Sequence, residues 1–222
     1  SASSVPAPAR AGSGGRPSVS IGLPVFNGAD YLEAALDSLL TQSYRDFELL
    51  ICDNGSTDGT RSICERAQAR DARVRYHPSP VNRGAAWNYN RAVALAGGEF
   101  FKWAAHDDLC EPGYIGRCME TFAVVPSDVV LVYGRTRLIG PRDEDFGVFE
   151  DRLDLRCRRP RQRAAALLHN FRLANALFGL IRTEALRRTR LIQPYPESDR
   201  VLLTELALLG KFVELPDVLF RR

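Results

Sequence analysis

Two short, almost wholly apolar runs, VSIGLPV at 19–25 and FELLIC at 47–52, limit what this chain can fold into more than any other feature. Runs of that length with aliphatic side chains at successive positions have no polar face to show water. Each must be buried on both sides, as an inner strand of a parallel sheet covered by helices. Between them Asp30 stands three residues before Glu33, a capping-box-like opening, and Leu32, Leu36, Leu39 and Leu40 fall on one helical face. After the second run, the turn-rich stretch DNGSTDGT leads into a helix carrying Ile63 and Ala67, with Asp58 placed to cap it. A third strand around Val74 to Tyr76, a helix over 85–96 and the strand EFFKWA before HDD continue the alternation. That order predicts an α/β fold, a Rossmann-like, mostly parallel open sheet flanked by helices. Such sheets take ligands at the carboxyl ends of their strands, where DNGSTDGT and HDD both fall.

Farther along, a helix over 111–124 and the strand DVVLVY precede the charged stretch GPRDEDFGVFEDRLDLRCRRPRQR, which has little core potential and reads as a mobile loop or surface excursion. Order returns with LFGLI, a helix at TEALRRT, and SDRVLLTELALLGKF, whose leucines keep helical spacing until Gly210.

With 222 residues, 45% hydrophobic and 26% charged, the chain suits one globular domain. Residues 1–18, SASSVPAPARAGSGGRPS, hold a single Val and read as a disordered tail, without the apolar run of a secretory signal. The most apolar long segment, AAALLHNFRLANALFGLIR, is broken by His169, Asn170, Arg172 and Asn175, so no membrane span is expected. The net charge is +3, and Arg thickens only in RCRRPRQR at 156–163, read as a solvated helix face. No RNA-binding pattern accompanies it, so nucleic acid is not an expected partner, and contact with an anionic membrane surface is the alternative. Cysteines at 52, 64, 110, 118 and 157 form no C-x-x-C pair, which predicts reduced thiols and a cytoplasmic location.

The chemistry gathers at two acidic loops. Adjacent carboxylates at the end of a buried strand are costly unless a cation or hydrogen-bond donors meet them, and Asp107 and Asp108 stand there. Mn²⁺ or Mg²⁺ bound by one or two carboxylates and completed by phosphate oxygens would suit the place. Asp53 ends the second strand, where it can accept a hydrogen bond from a base or ribose, and the small polar residues 54–58 suit a tight loop against a ligand. No G-x-G-x-x-G follows the first strand and no P-loop motif occurs, which disfavours dinucleotide and P-loop readings. Trp87 and Trp103 sit in core-patterned segments and are expected to pack.

Taken together in order, LPVFN at 23–27, ICDNGSTDGT at 51–60, NRGAAWNYN at 82–90, AGGEFFKWAAHDD at 96–108 and SDRVLLTELALLG at 198–210 resemble the family 2 glycosyltransferases. The resemblance implies a GT-A fold over 19–222, with a nucleotide-binding half at 19–108 and a C-terminal acceptor-binding half at 109–222. It also implies inverting transfer from a nucleoside-diphosphate sugar. By position, Pro24, Phe26 and Asn27 would line the base site and Asp53 would contact the base, with Arg83 and Asn90 as further nucleotide contacts. Asp107 would lie near the ribose, and Asp108 would ligate the metal of the DxD-like loop. His106 stands where that motif often has Asp, which removes one carboxylate. Asp199 would be the catalytic base, with Glu197 as fallback and a helix cap as its plain structural role. UDP has a slight preference as nucleotide, and the acceptor is a carbohydrate, a lipid-linked sugar or a small molecule. Family members often continue past a strand like VLFRR into a segment with a further His near the metal; this sequence ends at Arg222. A GT-A-like nucleotidyltransferase and a catalytically silent nucleotide-sugar-binding module are the rival readings.

Overall fold

Strand β1 (Val19–Val25) is buried at all seven positions, as is β2 (Phe47–Asp53), and the two pair in parallel with Val25 opposite Asp53. The computed structural model describes residues 15–142 and 144–222. The tail expected over 1–18 lies, up to residue 14, outside the described residues; Ser18 already sits beside the sheet, its carbonyl accepting the Phe100 N–H at 3.0 Å. Helices α1 (Leu32–Leu40), α2 (Thr60–Arg70) and α3 (Ala85–Leu95) alternate with β1, β2 and β3 (Val74–Pro78), and β4 (Phe100–Trp103) completes a four-stranded parallel unit in the order β3-β2-β1-β4. This is the α/β fold that the alternation predicts.

Beyond β4 the sheet becomes mixed. It continues through β8 (Leu180–Arg182), β6 (Val129–Ile139), β9 (Lys211–Arg221) and β5 (Leu109–Cys110), with β7 (Asp145–Phe149) paired to β6. The β6–β9 pair is parallel; β4–β8, β6–β8, β6–β7 and β5–β9 are antiparallel. Helices α4 (Tyr114–Val124), α5 (Pro160–Asn170), α6 (Thr183–Arg187) and α7 (Ser198–Leu209), with a 3-10 turn at Asn175–Phe178, cover this half. Among the described residues no helix is long and apolar enough to cross a membrane.

Three expectations need correction. Helix α1 starts at Leu32 without a side-chain cap; the Gly28 carbonyl accepts the Tyr31 and Leu32 N–H groups at 3.2 and 3.0 Å, so backbone replaces the Asp30 capping box. The charged stretch read as a mobile excursion forms β7 and then an extended segment that buries Leu153 and Leu155, with Leu155 exchanging backbone hydrogen bonds with Phe212 at 3.1 and 3.2 Å. The Arg cluster is not solvated throughout. Arg163 is buried and donates to the carbonyls of Ala207 and Leu208 at the end of α7 and of Cys157 and Arg158 before α5, at 2.8–3.3 Å.

A cation at a helix C-terminus meets carbonyls left without intrahelical donors, so Arg163 ties α5 to α7 through groups that would otherwise be stranded. Arg163→Ala is expected to lower the unfolding free energy by roughly 2–3 kcal/mol in urea titrations. The exposed Arg161→Ala should stay within about 0.5 kcal/mol of the parent.

Candidate functional site

The loops after β1, β2 and β3 are laced together by hydrogen bonds that their own sequences provide. Gly55 takes φ 79°, a turn open to glycine, and lets the chain fold back so that Asp53 Oδ1 accepts from the Ser56 N–H and hydroxyl at 2.9 and 2.6 Å. Asp53 Oδ2 accepts the Tyr76 hydroxyl at 2.7 Å, and burial together with this carboxylate pushes the phenol pKa up. Asn27, at φ 51°, accepts the Thr57 N–H at 2.8 Å and donates its own N–H to Ser56 Oγ at 2.9 Å. Asp58 accepts the N–H groups of Ala29 and Thr60, but the cap position of α2 is Gly59 and no side chain caps that helix, against the expectation for Asp58. Asn54 reaches across to Asn82, Gly84 and the Arg83 N–H at 2.9–3.2 Å.

This lacing presents some of the expected nucleotide residues and occupies others. Phe26 and Asn27 are exposed beside the loop of Asp53, whereas Pro24 is buried within β1 opposite Cys52. The guanidinium of Arg83 lies 4.5 Å over the Trp87 ring. Asn90 lines the cleft beside Arg83; its amide donates to the Ile192 carbonyl at 2.8 Å and accepts the Ile192 N–H at 3.0 Å, and so serves as a clamp between α3 and the segment before α7. Trp103 is fully buried, as a packing residue should be, but Trp87 is half-buried and lines a cleft.

Gly28 brings the acidic loop against the β1 loop, because a Cβ there would stand 2.6 Å from the His106 ring. His106 Nδ1 approaches Asp107 at 4.0 Å; Asp107 is exposed and Asp108 is 7% exposed. Burial pushes the Asp108 carboxyl up to about 7, with Arg222 and Lys102 pulling down and Asp107 adding to the rise. A cavity of about 710 Å³ opens at this point, lined by Tyr31, Tyr89, Asp107, Asp108, Phe178 and Arg222 among others. A second cleft of about 730 Å³ runs between α3 and residues 192–198, past Arg83, Trp87, Tyr195 and Ser198.

Asp199 opens α7. No side chain caps that helix, and Asp199 Oδ1 accepts the Arg200 N–H at 2.8 Å, while Glu197 is paired with Arg200 at 3.1 Å. Asp199 lies within electrostatic reach of Tyr89, which lines the cavity of the acidic loop. Burial pushes the Tyr89 phenol up to about 12, and Asp108, Asp107, Arg222 and Asp199 all act on it electrostatically. Sequence reasoning missed Tyr89 and Arg222. Tyr89 sits in a core-patterned helix, and the only signal for Arg222 was its place at the end of VLFRR.

Among the described residues no cluster of three His, Cys, Asp or Glu side chains could hold a metal unaided. A Mg²⁺ or Mn²⁺ that takes one or two carboxylates and draws its other ligands from phosphate and water still fits Asp108 and Asp107. The fit rests on Asp108 itself, a buried carboxylate facing a cavity beside a second carboxylate.

Comparison with known proteins agrees with this fold. The profile of Glycosyl transferase family 2 matches residues 20–190. A chondroitin synthase of Pasteurella multocida (strain Pm70) is 34% identical over 125 residues, 56% of this chain and 13% of that protein. An uncharacterized glycosyltransferase of Rickettsia typhi is 34% identical over 130 residues, 59% of this chain and 40% of that protein. This chain thus spans less than half the length of either relative. In fold it is similar to S. aureus TarS in complex with UDP-GlcNAc, with TM-score 0.75 and 18% identity over 92% of this chain and 58% of that one. It is also similar to the Pyrobaculum calidifontis mannosyltransferase PcManGT in complex with GDP-Man and Mn²⁺, with TM-score 0.67 and 21% identity over 93% and 57%.

Raised carboxyl pKa values fix the sign of a pH effect. Between the ordinary value of 3.8 and about 7, the folded protein keeps the Asp108 proton that the unfolded chain has released, so folding binds protons and stability falls as pH rises. Asp151, also raised to about 7 by burial, acts in the same direction. Denaturant titrations from pH 4 to pH 8 should show Asp108→Asn and Asp151→Asn each removing part of that loss, on the order of a few kcal/mol at most.

Proposed function

The chain belongs to glycosyl transferase family 2, and from that premise we propose that it moves a sugar from a nucleoside diphosphate to an acceptor hydroxyl in one inverting displacement. One observation carries the reading: Tyr89, Asp107 and Asp108 line one cavity, and Asp199 at the head of α7 lies within electrostatic reach of the half-buried Tyr89. A donor bound across Asp108 would have its anomeric carbon between the acidic loop and Asp199. Residues 19–108 would form the nucleotide-binding half and 109–222 the acceptor-binding half.

In this reading Phe26 and Asn27 border the base site over the buried Pro24. Asp53, held rigid by Ser56 and Tyr76, uses a remaining lone pair on the base. Asp107 reaches the ribose, and Arg83 lies at the rim. Asp108 would hold Mn²⁺ or Mg²⁺, which when bound supplies Lewis-acid stabilisation of the charge on the departing diphosphate. Asp199 takes the acceptor hydroxyl proton as the oxygen attacks, its carboxylate ending the step protonated. Asp199 does not cap its helix with a longer-range bond, which leaves an oxygen for that role.

The structural neighbours bind UDP-GlcNAc and GDP-Man, the latter with Mn²⁺, which supports a nucleoside-diphosphate sugar donor, with UDP slightly preferred, and a divalent metal. Two relatives are a chondroitin synthase and a hyaluronan synthase, which supports a carbohydrate acceptor over a lipid-linked or small-molecule one. Action at the cytoplasmic face of a membrane, touched through the exposed arginines 156, 158, 159 and 161, completes the proposal.

Calorimetric titration of UDP, GDP and dTDP, each with Mn²⁺ and with a chelator, should show metal-dependent binding of one nucleotide that Asp108→Ala weakens at least tenfold. Asp199→Asn should cut transfer by about 10²–10⁴-fold and leave nucleotide affinity intact. Unchanged turnover in Asp199→Asn would remove Asp199 as base, and nucleotide binding without transfer in the parent would point to a silent binding module.

A further inference from the structure

Asp151 is a buried carboxylate that the transfer chemistry above does not use. It is 3% exposed, in the extended segment after β7. The Asn175 side-chain amide donates to its two oxygens at 3.2 and 3.3 Å. Asn175 is itself 2% exposed, and its carbonyl oxygen accepts from Arg222 Nη1 at 3.3 Å. One planar amide thus faces a carboxylate with its donor side and a guanidinium with its acceptor side. It cannot turn to suit one without losing the other.

Arg222 is fixed by more than this contact. Its N–H donates to the Arg137 carbonyl at 3.0 Å, its carbonyl accepts the Ile139 N–H at 2.7 Å, and its guanidinium lies 5.5 Å from the Phe178 ring centre. The side chain lines the same cavity as Tyr89, Asp107 and Asp108. A buried carboxylate ordinarily has its cation in contact. Here the cation is one amide away, and it faces a second buried carboxylate, Asp108. The cavity lies between the guanidinium and Asp108, and the hydrogen bond to Asn175, itself held by Asp151, competes with any direct pairing of the two.

We propose that Asp151 and Asn175 are positioning residues that hold the Arg222 guanidinium back from Asp108, in the cavity where it meets the diphosphate of the donor. The inference rests on the donor reading given above. Asn175 takes one of several N–H donors on the guanidinium, and a planar fork suits two phosphate oxygens at once, which a point charge does not.

The test is calorimetric titration of UDP, in Mn²⁺ and in chelator, into the parent protein, Asp151→Leu, Asn175→Ala, Arg222→Gln, and the two double variants containing Arg222→Gln. Each single variant is expected to weaken UDP about tenfold in both media. Adding Asp151→Leu or Asn175→Ala to Arg222→Gln should cost nothing further, because the support then has nothing to position. Arg222→Lys should recover part of the loss. Asp151→Leu strands the buried Asn175 amide and is expected to lower the thermal midpoint; Asp151→Asn keeps the size and an acceptor oxygen for Asn175 while removing the charge, and it carries the test if Asp151→Leu or Asn175→Ala does not fold. Folded single variants that bind UDP as the parent does, or losses that multiply in the double variants, would overturn the inference alone. A folded parent that binds none of UDP, GDP or dTDP would overturn the donor reading and this inference together.

Discussion

The burial of β1 on both faces, between two parallel neighbours, is the constraint from which the rest of the site follows. Because β2 and β4 both run parallel to β1, the chain leaves all three strands at the same edge of the sheet, and the loops at 26–31, 54–59 and 104–108 are neighbours before any of their side chains interact. The register then sets which groups meet. Val25 stands opposite Asp53, so Asn27 falls level with Ser56 and Thr57 and bonds to them. A slip of register would pull these partners apart and misplace every buried side chain of a strand that has no solvent face to absorb the error. The site geometry is in this sense an extension of core packing.

Against that apolar frame, the buried charges stand out by how each is answered. Glu48 is met by the Ser20 hydroxyl at 2.7 Å and the Gly97 N–H at 2.9 Å. Lys102, fully buried, donates to the carbonyls of Phe178 and Trp103 and lies 4.3 Å from the centre of the Tyr114 ring. Arg163 is met by four carbonyls. These are local solutions, and they join elements of the fold. Asp108 differs because it faces a cavity and has a second carboxylate for a neighbour, which adds to the cost of its charge. A group whose burial is unfavourable within the protein is the one whose charge a bound cation can stabilise most.

How much of this could be read from the sequence depends on whether a residue's partner is local. Strands β1 and β2 and helix α1 show in unbroken or periodic apolar runs, and Asp53 and HDD show because they end such runs. The segment after β7 alternates Asp151, Leu153 and Leu155 inward with Arg152, Asp154 and Arg156 outward, a period-2 strand signal masked by the charges on its outer side. Asn90 fits a motif by position, yet its partner is Ile192, 102 residues away, and nothing near Asn90 announces it. The Asp151–Asn175–Arg222 contacts are likewise long-range, and each residue taken alone is an ordinary polar side chain. Local pattern encodes which strands form; it does not encode which distant backbone a buried amide will meet.

The Asn90 clamp also bears on how the two halves of the site keep their spacing. Helix α3 sends Tyr89 into the cavity with Asp107 and Asp108, and the next residue, Asn90, grips Ile192 through both ends of its amide. Residues 191–197 contain two non-glycine positions at positive φ, Leu191 at 57° and Glu197 at 59°, conformations that cost energy and persist only where the surroundings impose them. The segment that delivers Asp199 is thus tied to α3 through Ile192, as Arg190 beside it is tied to Glu205 of α7. One rigid helix sets the position of the acidic loop's neighbour and of the segment leading to Asp199. In the transfer proposed above, the spacing between Asp199 and the acidic loop would be carried by two adjacent residues of one helix.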